Sequence, residues 1–264
     1  MFTDIKNIIF HPSQCMTSRY TIGIVETKAD SSFIFHHFLS YFLKENCTVV
    51  LLSFCQSFNH FNSVGNKIGN NLIQARDQKH FLFIDGLKGL AQAVNPNSIK
   101  VDNHWNSCMQ DGGGIDVKAF YEMLRGIVED FKTESDQKIV FIVDNLSVLV
   151  DTGLQIKDVT ALIHYLNIYI TKEIGGSFVF GMNNDLGKQD EEGDRLKKFI
   201  QHSVDLGLEV KGLETGYCKD VHGQLEVKWY NSVARGLPTR RTSQFKLTDK
   251  TCAVFASGMS SAVL

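Results

Sequence analysis

The chain has 264 residues, 43% hydrophobic and 21% charged, ordinary values for a globular protein that can bury a core without staples. A net charge of −2 leaves no global basic field, so any nucleic-acid contact has to use a local patch. Six scattered cysteines with no C-x-x-C pair argue against a zinc site or a disulfide framework and fit a reducing compartment.

Residues 1–17 carry an apolar cluster, Ile5, Ile8, Ile9 and Phe10, ahead of Pro12, and predict a short arm or helix packed on the main body. No run there has signal-peptide length. Tyr20–Val25 is a continuous apolar run broken only by Gly23, which suits a strand buried on both faces. A polar turn over Glu26–Ser32 leads to a helix from Phe33 to about Lys44. Ile34, Phe35, Phe38, Leu39, Phe42 and Leu43 recur there at helical spacing, with Ser31 or Ser32 as N-cap. This segment, the most apolar long one, is too short and too polar to span a bilayer, so no membrane contact is expected. An intracellular chain is the reading.

Cys47–Phe54 and His80–Ile84 predict two further buried strands, with a short helix over 57–69 between them. Residues 94–115, with Pro96 and three consecutive glycines, show no periodicity and predict a long loop or insertion. Asp116 caps a helix whose apolar face runs from Val117 to Phe131. Lys138–Val143 is the strongest strand and ends at Asp144-Asn145. A helix over about 155–172, stopped by Gly175-Gly176, precedes a strand at Ser177–Met182, an acidic loop and a short helix from about Asp194. From 204 to 264 the pattern is strands and turns without a crossover helix, which predicts an antiparallel extension. The whole reads as one α/β domain over 1–264, a mostly parallel sheet flanked by helices with antiparallel strands at the C-terminal end. That is the layout of RecA-like ATPase domains.

Such domains hold phosphate where a strand feeds a helix, because backbone N–H groups and the positive helix end converge there. The gripping sequence is G-x-x-x-x-G-K-[ST]. The corresponding window here is E-T-K-A-D-S-S-F. Glu26 and Ser31 stand where glycines belong, Ser32 replaces the lysine, and Phe33 replaces the magnesium-binding hydroxyl. Lys28 lies four residues too early to substitute. Asp144, at the end of its strand, sits where the acidic partner of magnesium belongs; an Asp-Asn pair also simply ends strands. No catalytic residue, metal site or cofactor is therefore expected. Adjacent His36 and His37 point about 100° apart on a helix and cannot converge on a ligand; one is expected at the core edge and one outside. Arg235, Arg240 and Arg241, flanked by Lys228 and Lys246, read as a hairpin tip suited to RNA or phosphate contacts. Trp229 and Tyr230 stand nearby, at least one of them in the core.

The stretches SSFIFHHFLSYFLKENC, VDNLSVL, GLETGYCKDVHGQLEV and the tail GMSSAVL resemble the family of sixth subunits of the Elongator complex, in its vertebrate form, over essentially the whole chain. The resemblance implies a RecA-like fold without an intact phosphate loop. It implies a six-membered ring with Elongator subunits four and five, two copies of each, docked on the catalytic subcomplex that modifies the wobble uridine of tRNA. It also implies tRNA binding through the ring and a cytoplasmic location, with the nucleus as a second compartment. Of the ATPase pattern only Asp144 is matched, so no autonomous hydrolysis is expected of this subunit. The 19 phenylalanines fit either ring flanks or an aromatic core. Two alternatives stand beside this: a degenerate NTPase completed by a neighbour's arginine, and a DNA-binding recombinase-like paralogue.

Overall fold

The structure, a computed structural model, describes residues 3–9, 19–94, 105–108, 110, 114–132, 137–184, 191–214, 216, 218–230 and 240–256. Helix α1 (Thr3–Ile9) leads to β1 (Thr21–Thr27), α2 (Ser32–Lys44), β2 (Thr48–Ser53), α3 (Phe58–Lys67), α4 (Leu72–Asp77), β3 (Phe81–Asp85) and α5 (Gly86–Val94). After α6 (Val117–Phe131) come β4 (Ile139–Asp144), α7 (Ser147–Asp151), α8 (Ile156–Ile168), β5 (Ser177–Asn183) and α9 (Glu191–Ser203). Strands β6 (Leu206–Lys211), β7 (Gly223–Trp229), β8 (Arg240–Leu247) and β9 (Cys252–Phe255) close the order.

The strands form one nine-stranded sheet, ordered β3-β2-β4-β5-β1-β6-β7-β8-β9. Strands β1 to β6 run parallel, and the antiparallel part begins only at β7. This corrects the reading of 204–264 as antiparallel throughout: β6 pairs in parallel with β1, and α9 is the crossover that makes this possible. Gly23 on β1 makes room for it, since a Cβ there would stand 3.0 Å from both Ile200 and Val204. The apolar runs of β2 and β4 are buried at every position, as strands covered on both faces must be.

One core lies against α2, where Phe35, Phe38, Leu39 and Phe42 meet Ile22, Ile24, Val49, Leu51 and Val179. The other lies beneath α6, α8 and α9, around Phe141, Phe178, Phe180, Leu162 and Ile200. Phenylalanines fill both. Asp116 caps α6 as expected, its Oδ1 accepting from the N–H groups of Lys118 and Ala119. Leu146–Val150, a short apolar run in the sequence, falls mostly within α7.

Two expectations change. Within the expected loop 94–115, Trp105–Cys108 form a 3-10 turn. Trp105 and Cys108 are buried, and the Trp105 ring lies 5.5 Å from that of Phe120. An indole with an aromatic partner is anchored by burial in spite of the polar residues around it. His36 and His37 are both buried, at 4% and 5% exposure, because α2 is covered on its outer side as well as against the sheet. His36 faces His60 and Phe61 of α3. Beside His37 lies Tyr41, whose ring carries the Lys6 ammonium of α1 at 5.2 Å.

Candidate functional site

The candidate site is the turn from β1 into α2, at the C-terminal end of the parallel strands, where open α/β sheets place their ligands. β1 is central, held by β5 on one side and β6 on the other. Lys28 takes a left-handed conformation, φ 50°, which turns the chain out of the strand. Two residues on, Asp30 folds back on the helix start: Oδ1 accepts from Ser32 N–H at 2.8 Å and Oδ2 from the Ser32 hydroxyl at 2.9 Å.

Glu26 does the same from the strand. Its Oε2 accepts from Ser31 N–H at 3.0 Å and from the Ser31 hydroxyl at 2.7 Å, while Oε1 accepts from Asn145 Nδ2 at 3.1 Å. Ser31 is the helix N-cap by position, yet its side chain makes no cap bond because Glu26 has engaged it. Across the cleft Asp144 is buried at 7% exposure, and its Oδ2 accepts from the Ser53 hydroxyl at 3.1 Å. Burial pushes the Asp144 carboxyl up to about 6, Ser53 opposes the rise, and the charges of Glu26 and Asp30 add to it.

The chemistry of this cleft is the reverse of a phosphate site. Glu26 and Asp30 hold the N–H groups at the helix start, and both add their negative charge to that felt by Asp144. Lys28 stands on the turn, four residues before the position of the phosphate-loop lysine. Phe33 is only 7% exposed and its ring lies 4.9 Å from that of Phe245 on β8. Its side chain ties α2 to the antiparallel strands. Among the described residues, no group of three or more His, Cys, Asp or Glu could hold a metal ion, and no helix is long and apolar enough to cross a membrane.

Of the residues expected at the turn, Glu26 and Ser31 are bonded to each other and Asp144 feels the charge of Glu26, while Phe33 packs on Phe245. Sequence reasoning missed Asp30, Ser53 and Asn145 as their partners. An acid two residues before a serine at a helix start was a readable signal for Asp30; the contacts of Ser53 and Asn145 are long-range and had none.

The basic cluster is not assembled as expected. Arg235 lies outside the described residues. Arg240 and Arg241 stand on β8, in the ladder with Lys228 and Val227 of β7, and not at a hairpin tip. Arg240 Nε lies 2.7 Å from Glu226 Oε1, and its Nη2 donates to Oε2 at 3.2 Å. Lys228 lies 2.9 Å from the same Glu226 and 3.2 Å from Glu209, and Lys246 donates to Asp220 at 2.7 Å. Glu226 is 3% exposed, so Arg240 and Lys228 neutralise a buried carboxylate. Strand alternation turns Arg241 to the other face, where Nη1 donates to the Asn7 carbonyl of α1 at 3.5 Å. Trp229 packs on the core and donates to the Ile9 carbonyl at 3.3 Å, while Tyr230 is exposed.

Comparison with known proteins agrees with the fold and names the family. Residues 2–249 match the family model described as Elongation complex protein 6. The chain is 34% identical to Elongator complex protein 6 of Rattus norvegicus and 32% identical to that of Homo sapiens, with all of both chains covered in each case. Among solved structures, an uncharacterized Pyrococcus horikoshii protein superposes with a TM-score of 0.64 at 12% identity, covering 97% of this chain and 98% of that one. A KaiC-like protein from the same organism gives 0.55 at 11% identity, covering 88% and 89%. At such identities these two speak for the RecA- and KaiC-like fold alone. The relatives settle the family: the chain belongs to the Elongation complex protein 6 family, the sixth subunits of the Elongator complex.

Proposed function

We propose that this chain is a non-catalytic subunit of the accessory ring of Elongator, a six-membered assembly with subunits four and five, two copies of each. The ring docks on the catalytic subcomplex, and its task is to support modification of the tRNA wobble uridine by binding tRNA as an assembly. The observation that carries the reading is the family relationship, which spans the full length of chain and relative alike. The site is in keeping with it: carboxylates stand at the helix start and a packed phenylalanine replaces the hydroxyl that magnesium would need. The cytoplasm, with the nucleus as a second compartment, follows from the same reading. Arg241 is the better probe of a tRNA contact, because Arg240 is committed to Glu226.

Co-expression of the chain with subunits four and five, followed by native mass measurement, tests the reading. A species containing two copies of each of the three is expected. A chain that stays outside every complex of the other two contradicts it.

A further inference from the structure

A helix start leaves N–H groups without partners inside the helix, and with the helix dipole these make a ready site for an anion. In α2 that place is already taken from within. One Glu26 oxygen holds both the N–H and the hydroxyl of Ser31, at 3.0 and 2.7 Å, and the other holds Asn145 at 3.1 Å. Three elements therefore grip one carboxylate: the strand that carries it, the helix it faces, and the turn after β4. Ser31 is 3% exposed, so the contact lies beneath the surface of the turn. Asp30 repeats the pattern at the next N–H, that of Ser32.

We propose that Glu26 is a built-in counter-anion: its carboxylate occupies the position at the start of α2 that a phosphate oxygen would take, and so closes the turn to free phosphate. The inference rests on the non-catalytic reading and gives it a cause beyond the missing lysine. A turn that had lost only its lysine would still offer its N–H groups to a ligand; here those of Ser31 and Ser32 are held by Glu26 and Asp30. An ordinary capping role for Glu26 makes a different prediction. Removing a cap weakens the fold and leaves it indifferent to anions, whereas removing a counter-anion opens a place that phosphate can fill.

The test is thermal unfolding of the full chain in inorganic pyrophosphate against sodium chloride of equal ionic strength. The wild type is expected to melt at the same temperature in both. Glu26→Ala is expected to melt lower in chloride and to recover by about 2–4 °C, saturably, with millimolar pyrophosphate. Glu26→Thr, with a β-branched residue suited to the strand, replaces it should alanine prevent folding. A folded variant as indifferent to pyrophosphate as the wild type overturns the proposal, and so does a saturable response of the wild type itself. Either failure leaves ring membership standing, and a chain excluded from the ring leaves the Glu26 result standing.

Discussion

At the scale of single residues, two buried histidines are kept neutral by the fold. Burial pulls His36 from 6.5 down to about 4, with His60 adding to the fall and Asp30 opposing it. Burial and then the Lys6 ammonium pull His37 down to about 3. The stability tied to their neutrality is complete above pH 6.5 and is lost as pH falls toward 4 and below. Asp144 runs the other way, because its carboxyl is raised from 3.8 to about 6. Its contribution is complete below pH 3.8 and is lost as pH rises through 6. Each pH unit of displacement is worth about 1.4 kcal/mol, and two histidines, each displaced further, outweigh one aspartate. The chain should therefore lose stability steadily between pH 6.5 and 4 in denaturant melts. Among the described residues neither ring nitrogen of His36 has a hydrogen-bond partner, while its ring lies 5.0 Å from that of Phe61. His36→Phe keeps the ring contact and removes the buried polar atoms, so it should fold at pH 7 without loss and flatten the acid limb. An unchanged acid limb would remove His36 from this account.

At the scale of elements, α2 shows what the sequence could and could not disclose. Its strand–turn–helix layout was legible because apolar runs and 3.6-residue spacing are local properties. The departures of its turn from the phosphate-loop sequence were legible too, since each could be named at its place. What α2 packs against was not legible. Phe33 could be read only as an absence of hydroxyl; its meeting with Phe245, 4.9 Å away between ring centres, depends on a strand more than 200 residues later. The burial of both histidines depends likewise on α1 and α3. Strand direction misled for a related reason: the acidic run Glu191, Glu192 and Asp194 reads as loop in the sequence but opens the 13-residue α9, so β6 looked like the first antiparallel strand and not the last parallel one. Arg240 looked available because its partner, Glu226, is reached across the sheet. Phe33→Ala should cost about 3–5 kcal/mol, the range for emptying a buried aromatic site. Phe33→Thr, which puts back the hydroxyl, should be destabilising too and gain no magnesium-dependent nucleotide binding. Gain of such binding by Phe33→Thr would mean that the turn is one residue away from a working phosphate loop.

At the scale of the whole molecule, a RecA- and KaiC-like fold carries carboxylates at the turn from its central strand into α2. The chain superposes on RecA- and KaiC-like proteins over most of its length, and its sheet places β1 at the centre with α2 behind it. At the strand end Glu26 and Asp30 hold the Ser31 and Ser32 N–H groups from within, and Asp144 lies buried within reach of their charge. On the proposed reading, such a chain contributes shape and surface to an assembly and leaves nucleotide chemistry to others. Equilibrium ATP binding by the isolated full chain, with and without magnesium, tests this claim most directly. The account predicts no saturable binding up to millimolar ATP in either condition; micromolar, magnesium-dependent binding would contradict it.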